Sequence, residues 1–171
     1  MKKILLFCFM TGILFSCEVK VNTGTDDKKT ATTGGNDKIR NGIVLHTKDL
    51  EVEQVFLLYP DGSLVPEDNK TKVNEDIKMR LIISGWKEEN GMVYPGAAEK
   101  IETNKNLVLV DEPDLFAAYT GTGVKADDAK YISLTATITK VEILVDYFLV
   151  TFRVWDKKGT GEITGSYKLY L

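Results

Sequence analysis

The residues able to do chemistry are few and scattered. One histidine, His46, and two cysteines, Cys8 and Cys17, occur in 171 residues, so no His/Cys cluster of zinc-ligand spacing can form. His46 has no nucleophile or orienting group in a recognisable frame, and it alternates with Leu45 and Thr47 as an exposed sheet residue would. Oxygen chemistry is better represented. Asp111, Glu112, Asp114, Asp127 and Asp128 bracket the segment Asp111 to Lys130, and an oxygen-rich set suits Ca²⁺, which takes six to eight such ligands. Their spacing matches no EF-hand loop, and acids that open short helical turns or face solvent account for them equally. Trp86, Tyr94, Tyr119 and Trp155 are the aromatics least committed to an alternating core face. Trp86, Tyr94 and Trp155 could stack on sugar rings, or could cover sheet edges. No catalytic constellation emerges, and the expectation is a protein that is not an enzyme. A net charge of −3, from 22 basic and 25 acidic side chains, also argues against a nucleic-acid face.

The elements that would carry these residues differ sharply along the chain. Met1-Lys2-Lys3 is a short positive start, and Ile4 to Phe15 is an apolar run interrupted only by Thr11 and Gly12. At 12 residues it is too short for a membrane-spanning helix, which takes about 20, and it has the dimensions of a secretory signal. From Glu18 to Asn41 the chain is rich in Thr, Gly, Asp, Asn and Lys and shows no periodicity. Such a segment cannot bury enough apolar surface to offset its ordering entropy, and it reads as a flexible tether. Its typical end-to-end distance would be about 27 Å, from roughly 5–6 Å times the square root of its length.

Beyond Ile39 the pattern changes to short runs of period two. Ile43 to Thr47, Val52 to Tyr59, and Ile77 to Ile83 read as strands, the second ending in the turn signal Tyr59-Pro60-Asp61-Gly62-Ser63. Ala97 to Thr103 and Leu107 to Val110 flank Asn104-Lys105-Asn106 as a hairpin. Ile132 to Thr139, Phe148 to Trp155 and Glu162 to Leu171 complete the series. The last two are expected to pair antiparallel, with Ile163, Tyr167, Leu169 and Leu171 on one face. Between the hairpin and Ile132, Pro113 to Tyr119 and Ala126 to Ala129 read as helical turns, with Leu115 and Phe116 plugging one end of the domain. Seven to nine strands without a long amphipathic helix predict an all-β, antiparallel β-sandwich with a short helical turn in the 111–130 loop; a small barrel is the alternative.

Three stretches resemble known families. Leu14-Phe15-Ser16-Cys17, after the basic start and apolar run, resembles the lipobox of bacterial lipoproteins. The resemblance implies cleavage after Ser16 and a diacylglyceryl thioether on Cys17. Removing Lys2 and Lys3 from the basic side chains would take the net charge to about −5, and the domain would keep no free thiol. Asp127-Asp128-Ala129-Lys130-Tyr131-Ile132-Ser133 resembles the run at the tyrosine corner of immunoglobulin domains, with Ser133 where the cysteine would stand. It implies an immunoglobulin-like topology without the inter-sheet disulfide. Val154 to Ile163 is similar to terminal hairpins of uncharacterised Bacteroidota lipoproteins, a likeness that brings no activity and implies an outer membrane.

The expected organisation is therefore a signal peptide over 1–16, a lipidated Cys17 and tether over 17–41, and a sandwich over 42–171. The expected role is a non-catalytic binding or structural module of the cell envelope, held to the membrane through Cys17 and contacting another envelope protein. A surface glycan-binding lipoprotein, or a Ca²⁺-dependent module using the acidic loop, are the alternatives. No cofactor is called for otherwise, and no nucleic acid.

Overall fold

The computed structural model describes residues 30–33, 38–139 and 144–171; the signal segment, Cys17 and most of the predicted tether lie outside the described residues. Among the described residues eleven strands are formed: β1 (Thr30–Thr33), β2 (Val44–Lys48), β3 (Glu51–Leu58), β4 (Asp76–Ser84), β5 (Met92–Val93), β6 (Pro95–Thr103), β7 (Val108–Glu112), β8 (Val124–Lys125), β9 (Tyr131–Thr137), β10 (Phe148–Asp156) and β11 (Glu162–Leu169). They make a six-stranded sheet in the order β1-β2-β11-β10-β6-β7, a three-stranded sheet β3-β4-β9, and a small β5-β8 ribbon. Every strand pair is antiparallel. The order β3-β4-β9 against β11-β10-β6-β7 is that of strands A-B-E against G-F-C-C′ in an immunoglobulin-like sandwich, with β2 and β1 added beyond G.

Alternation explains the two layers. On β10, Phe148, Val150, Phe152 and Val154 are buried, and their register partners on β11, Leu169, Tyr167 and Ile163, are buried with them. From the other sheet Ile77, Met79, Leu81 and Ile83 of β4 and Ile132, Leu134 and Ala136 of β9 complete the core. Leu171 lies past the end of β11 and is 54% exposed, so the inward face stops at Leu169 rather than continuing as its spacing suggests.

The turn chemistry follows the expected residues. Gly62 at φ +85° closes the turn after β3, where Tyr59 and Ser63 exchange a backbone bond and the Asp61 carboxylate accepts from both the N–H and the hydroxyl of Ser63. Those bonds hold the Asp61 carboxyl below its ordinary range. Asn106 at φ +62° closes the β6–β7 hairpin. At the end of β10, the buried Asp156 accepts from the backbone N–H groups of Lys158 and Gly159 on one oxygen and of Lys87 on the other. It thereby ties the β10–β11 turn to the segment after β4. Asp156→Ala would orphan three N–H groups and is expected to cost about 2–4 kcal/mol in urea unfolding, with Asp156→Asn recovering part of the loss.

Four expectations are corrected here. The packed domain includes Lys38–Arg40, ahead of its expected start at position 42. Val55 and the Lys38–Arg40 stretch exchange backbone bonds (Val55 N–H to Lys38 O at 2.8 Å, Arg40 N–H to Val55 O at 3.0 Å), and Ile39 is buried. Thr30–Thr33, placed by composition in the tether, is the outermost strand of the larger sheet. The tyrosine-corner resemblance also falls in the wrong place. Tyr131 opens β9, an edge strand in the E position, and is 52% exposed, whereas the corner belongs before the F strand, here β10. Of the residues expected to plug one end, Phe116 packs against the core and Leu115 stands 44% exposed.

Candidate functional site

The five acids of the 111–130 region are dispersed by the fold. Asp111 and Glu112 lie on β7 opposite Lys100 and Glu99; since neighbouring residues of a strand point to opposite faces, they do not share one. Asp114 is a structural group. It accepts from the backbone N–H groups of Ala97 and Phe116 and pairs with the Lys157 ammonium at 2.7 Å. Burial alone would raise its carboxyl, but the Lys157 bond, the two backbone donors and the Lys157 charge together hold it below the usual range. Asp127 and Asp128 occupy the first turn of α1 (Ala126–Ala129), exposed, as helix-opening acids. Among the described residues no three metal-ligating side chains converge, so the fold does not assemble this set as a Ca²⁺ cage.

The aromatics are engaged as well. Trp86 is half-buried against the core, and its Nε1–H donates to Ala129 O at 3.2 Å. Trp155 lies on the outer face of β10, and Tyr94 immediately precedes β6. Trp155 sits opposite Gly96, where any Cβ would collide with its indole, and the Arg153 guanidinium lies 4.7 Å from the ring centroid. The Lys158 ammonium lies 4.6 Å from the centroid of Tyr94. The indole thus shields a glycine gap in the sheet, and cations already use both rings. His46 is exposed on β2, as its alternation implied.

The two ends of the sandwich differ. Thr30 pairs with Thr47 and Thr33 with Val44, so the chain enters β1 at the end that holds the β10–β11 turn. The opposite end gathers the β3–β4 connection, the β6–β7 hairpin and the residues flanking β10 and β11. Leu64, Val73, Leu107, Leu144 and Leu171 are exposed there. A cleft of about 430 Å³ opens beside them, between Tyr59, Lys70, Lys72 and Glu75. The Tyr59 hydroxyl donates to Lys70 O at 3.0 Å, which holds the ring at the wall. Partial burial, followed by the nearby charges of Glu75, Asp68 and Asp61, raises its phenol.

Two buried polar features were not read from the sequence. The first joins Asn41 and Asn69, 1% and 5% exposed, whose amides bond to each other and to four chain segments. The second is Glu99, 4% exposed on the inner face of β6 between Ala97 and Ile101, with no partner for its Oε1. Burial pushes its carboxyl up to about 7. Tyr167, fully buried on β11, also has an unpartnered hydroxyl. Burial and then the charge of Glu99 raise its phenol well above the ordinary value. A signal for Glu99 was present, because the alternation that makes Ala97–Thr103 a strand puts it on the apolar face. The asparagine pair had none, since its partners are distant carbonyls.

No family model matches the chain, and no curated protein matches it significantly.

Proposed function

We propose that the protein is a lipid-anchored module of the cell envelope, a β-sandwich that binds or braces another envelope protein without catalysing a reaction. The observation that carries this reading is the succession of basic start, 12-residue apolar run and Leu14-Phe15-Ser16-Cys17. Two or three acyl chains on Cys17, at about 0.8 kcal/mol per buried CH₂, would hold the chain durably where a single chain gives marginal binding. The resemblance of the last hairpin favours the outer membrane. Strand polarity supports an outward presentation, because the tether enters at one end while the exposed aliphatics and the 430 Å³ cleft occupy the other. The engagement of Asp114 and Asp156 in structural bonds supports a non-catalytic reading. A glycan reading would use the Tyr94 and Trp155 rings, over which Lys158 and Arg153 lie, so the protein-partner reading is preferred.

Membrane fractionation with a high-salt wash tests the anchor. The native chain is expected in the membrane pellet and Cys17→Ala in the soluble fraction or as uncleaved precursor. A native chain released by salt, or a Cys17→Ala protein that is cleaved and still pellets, would refute lipid anchoring.

A further inference from the structure

We propose that Glu99 makes β7 a proton-gated edge strand: with its carboxyl protonated the sandwich stays closed, and ionisation releases β7 from β6 so that water reaches the carboxylate.

The argument starts from position. Glu99 lies between buried Ala97 and Ile101 on the inner face of β6, beside the buried Phe152 of β10, with its Oε1 unpartnered. The facing sheet offers it no charge, since β3, β4 and β9 present Val55, Leu57, Ile77, Met79, Leu81, Ile83, Ile132, Leu134 and Ala136 inward. From β10 come only Val150, Phe152 and Val154. From β11 comes the Tyr167 phenol, and from β7 comes Glu112, its exposed register partner and a like charge. Lys157, past the end of β10, is committed to Asp114, and Arg153 of β10 is committed to Glu162. Lys100 points to the other face and pairs with Glu102. Among the described residues an ionised Glu99 therefore has no counter-charge facing it, and water must supply its solvation.

The easiest way in is past β7. It is an edge strand, five residues long, with no fully buried side chain, and its ladder with β6 is irregular at Ile101/Glu102. Edge strands with little buried apolar surface open at a small fraction of the global stability. Because the carboxyl titrates near 7 in the closed form, below that pH it is neutral and the edge is held; above it the open form gains.

Hydrogen exchange of the purified full chain tests this, with rates corrected for intrinsic pH dependence. Protection of Val108–Glu112 is expected to fall at least tenfold between about pH 6 and 8.5, since each pH unit above the shifted value favours opening by about tenfold. Protection in β10 and β11 should hold. Glu99→Gln, and independently Glu99→Met, should keep β7 protected across the range, while Glu112→Gln should retain the fall. Constant protection of β7 in the native chain would overturn the proposal. So would a fall that persists in Glu99→Gln or Glu99→Met, one that disappears in Glu112→Gln, or a fall shared equally by every strand.

Discussion

Replacing Asn41 with alanine is expected to remove about 3–5 kcal/mol of folding stability, a large share of the roughly 5–15 kcal/mol typical of a domain. Asn41 Oδ1 accepts from Leu57 N–H at 3.0 Å, and Nδ2 donates to Val65 O at 3.0 Å, Pro66 O at 3.1 Å and Asn69 Oδ1 at 2.9 Å. Asn69 Nδ2 in turn donates to Asn41 O and Lys168 O. One buried side chain thus fastens the start of the domain to β3, to the segment after the Tyr59 turn and, through Asn69, to β11. Truncation leaves Leu57 N–H and the Asn69 amide oxygen buried without those partners, at about 1–3 kcal/mol each. The backbone adds to this, because Asn41 sits at φ +60°, where alanine costs about 1–2 kcal/mol more than a residue tolerant of that region. Asn41→Gly should therefore be about 1 kcal/mol less damaging than Asn41→Ala, although it loses the same hydrogen bonds. Urea unfolding of both variants checks the order; an alanine variant within 1 kcal/mol of the native chain would show that the network is not what holds the segment.

The second large effect is expected at Gly165. It faces the core on β11 between Leu45 of β2 and Phe152 of β10, and the Phe152 ring fills the space in front of it. A Cβ at Gly165 would lie 2.5 Å from Phe152 Cζ and 2.5 Å from Val44 O. The ring can yield by changing rotamer, but the carbonyl belongs to the neighbouring strand and moves only with the sheet. Gly165→Ala is expected to cost about 2–3 kcal/mol, at the upper end of overpacking penalties, and Gly165→Val more. Combining Gly165→Ala with Phe152→Leu should cost less than the sum of the two, because the smaller side chain removes one of the clashes. Strict additivity in denaturant unfolding would mean that the ring and the glycine are not coupled.

How much of this was readable in advance divides by physical cause. The long strands were legible because one buried face imposes period two: Ile77 to Ile83, Ile132 to Thr139 and Phe148 to Trp155 announce themselves without knowledge of their partners, although the second ends at Thr137. The helical turn at Ala126–Ala129 and the β6–β7 turn followed from local residue chemistry. What escaped is held by pairing rather than by pattern. Thr30–Thr33, Met92–Val93 and Val124–Lys125 are too short to show alternation, and only the strand beside each makes it a strand. The start of the domain was misplaced because Ile39 alone carries the apolar signal there, while Asn41, polar by type, is buried by bonds to residues 16 to 28 positions away. The candidate site was legible only in its members. Acids near one another in sequence were sent to opposite faces, placed in the first turn of α1 or tied to backbone N–H groups and Lys157, while Glu99, overlooked among strand residues, became a buried carboxyl of the core.

The central claim is the anchor, and intact-mass measurement of the chain purified from membranes tests it most directly. The expected species begins at Cys17, with a mass that exceeds that of residues 17–171 by a diacylglyceryl group, with or without a further acyl chain on the amino group. A chain of unmodified mass, whether it begins at Met1, at Cys17 or elsewhere, would contradict the anchor.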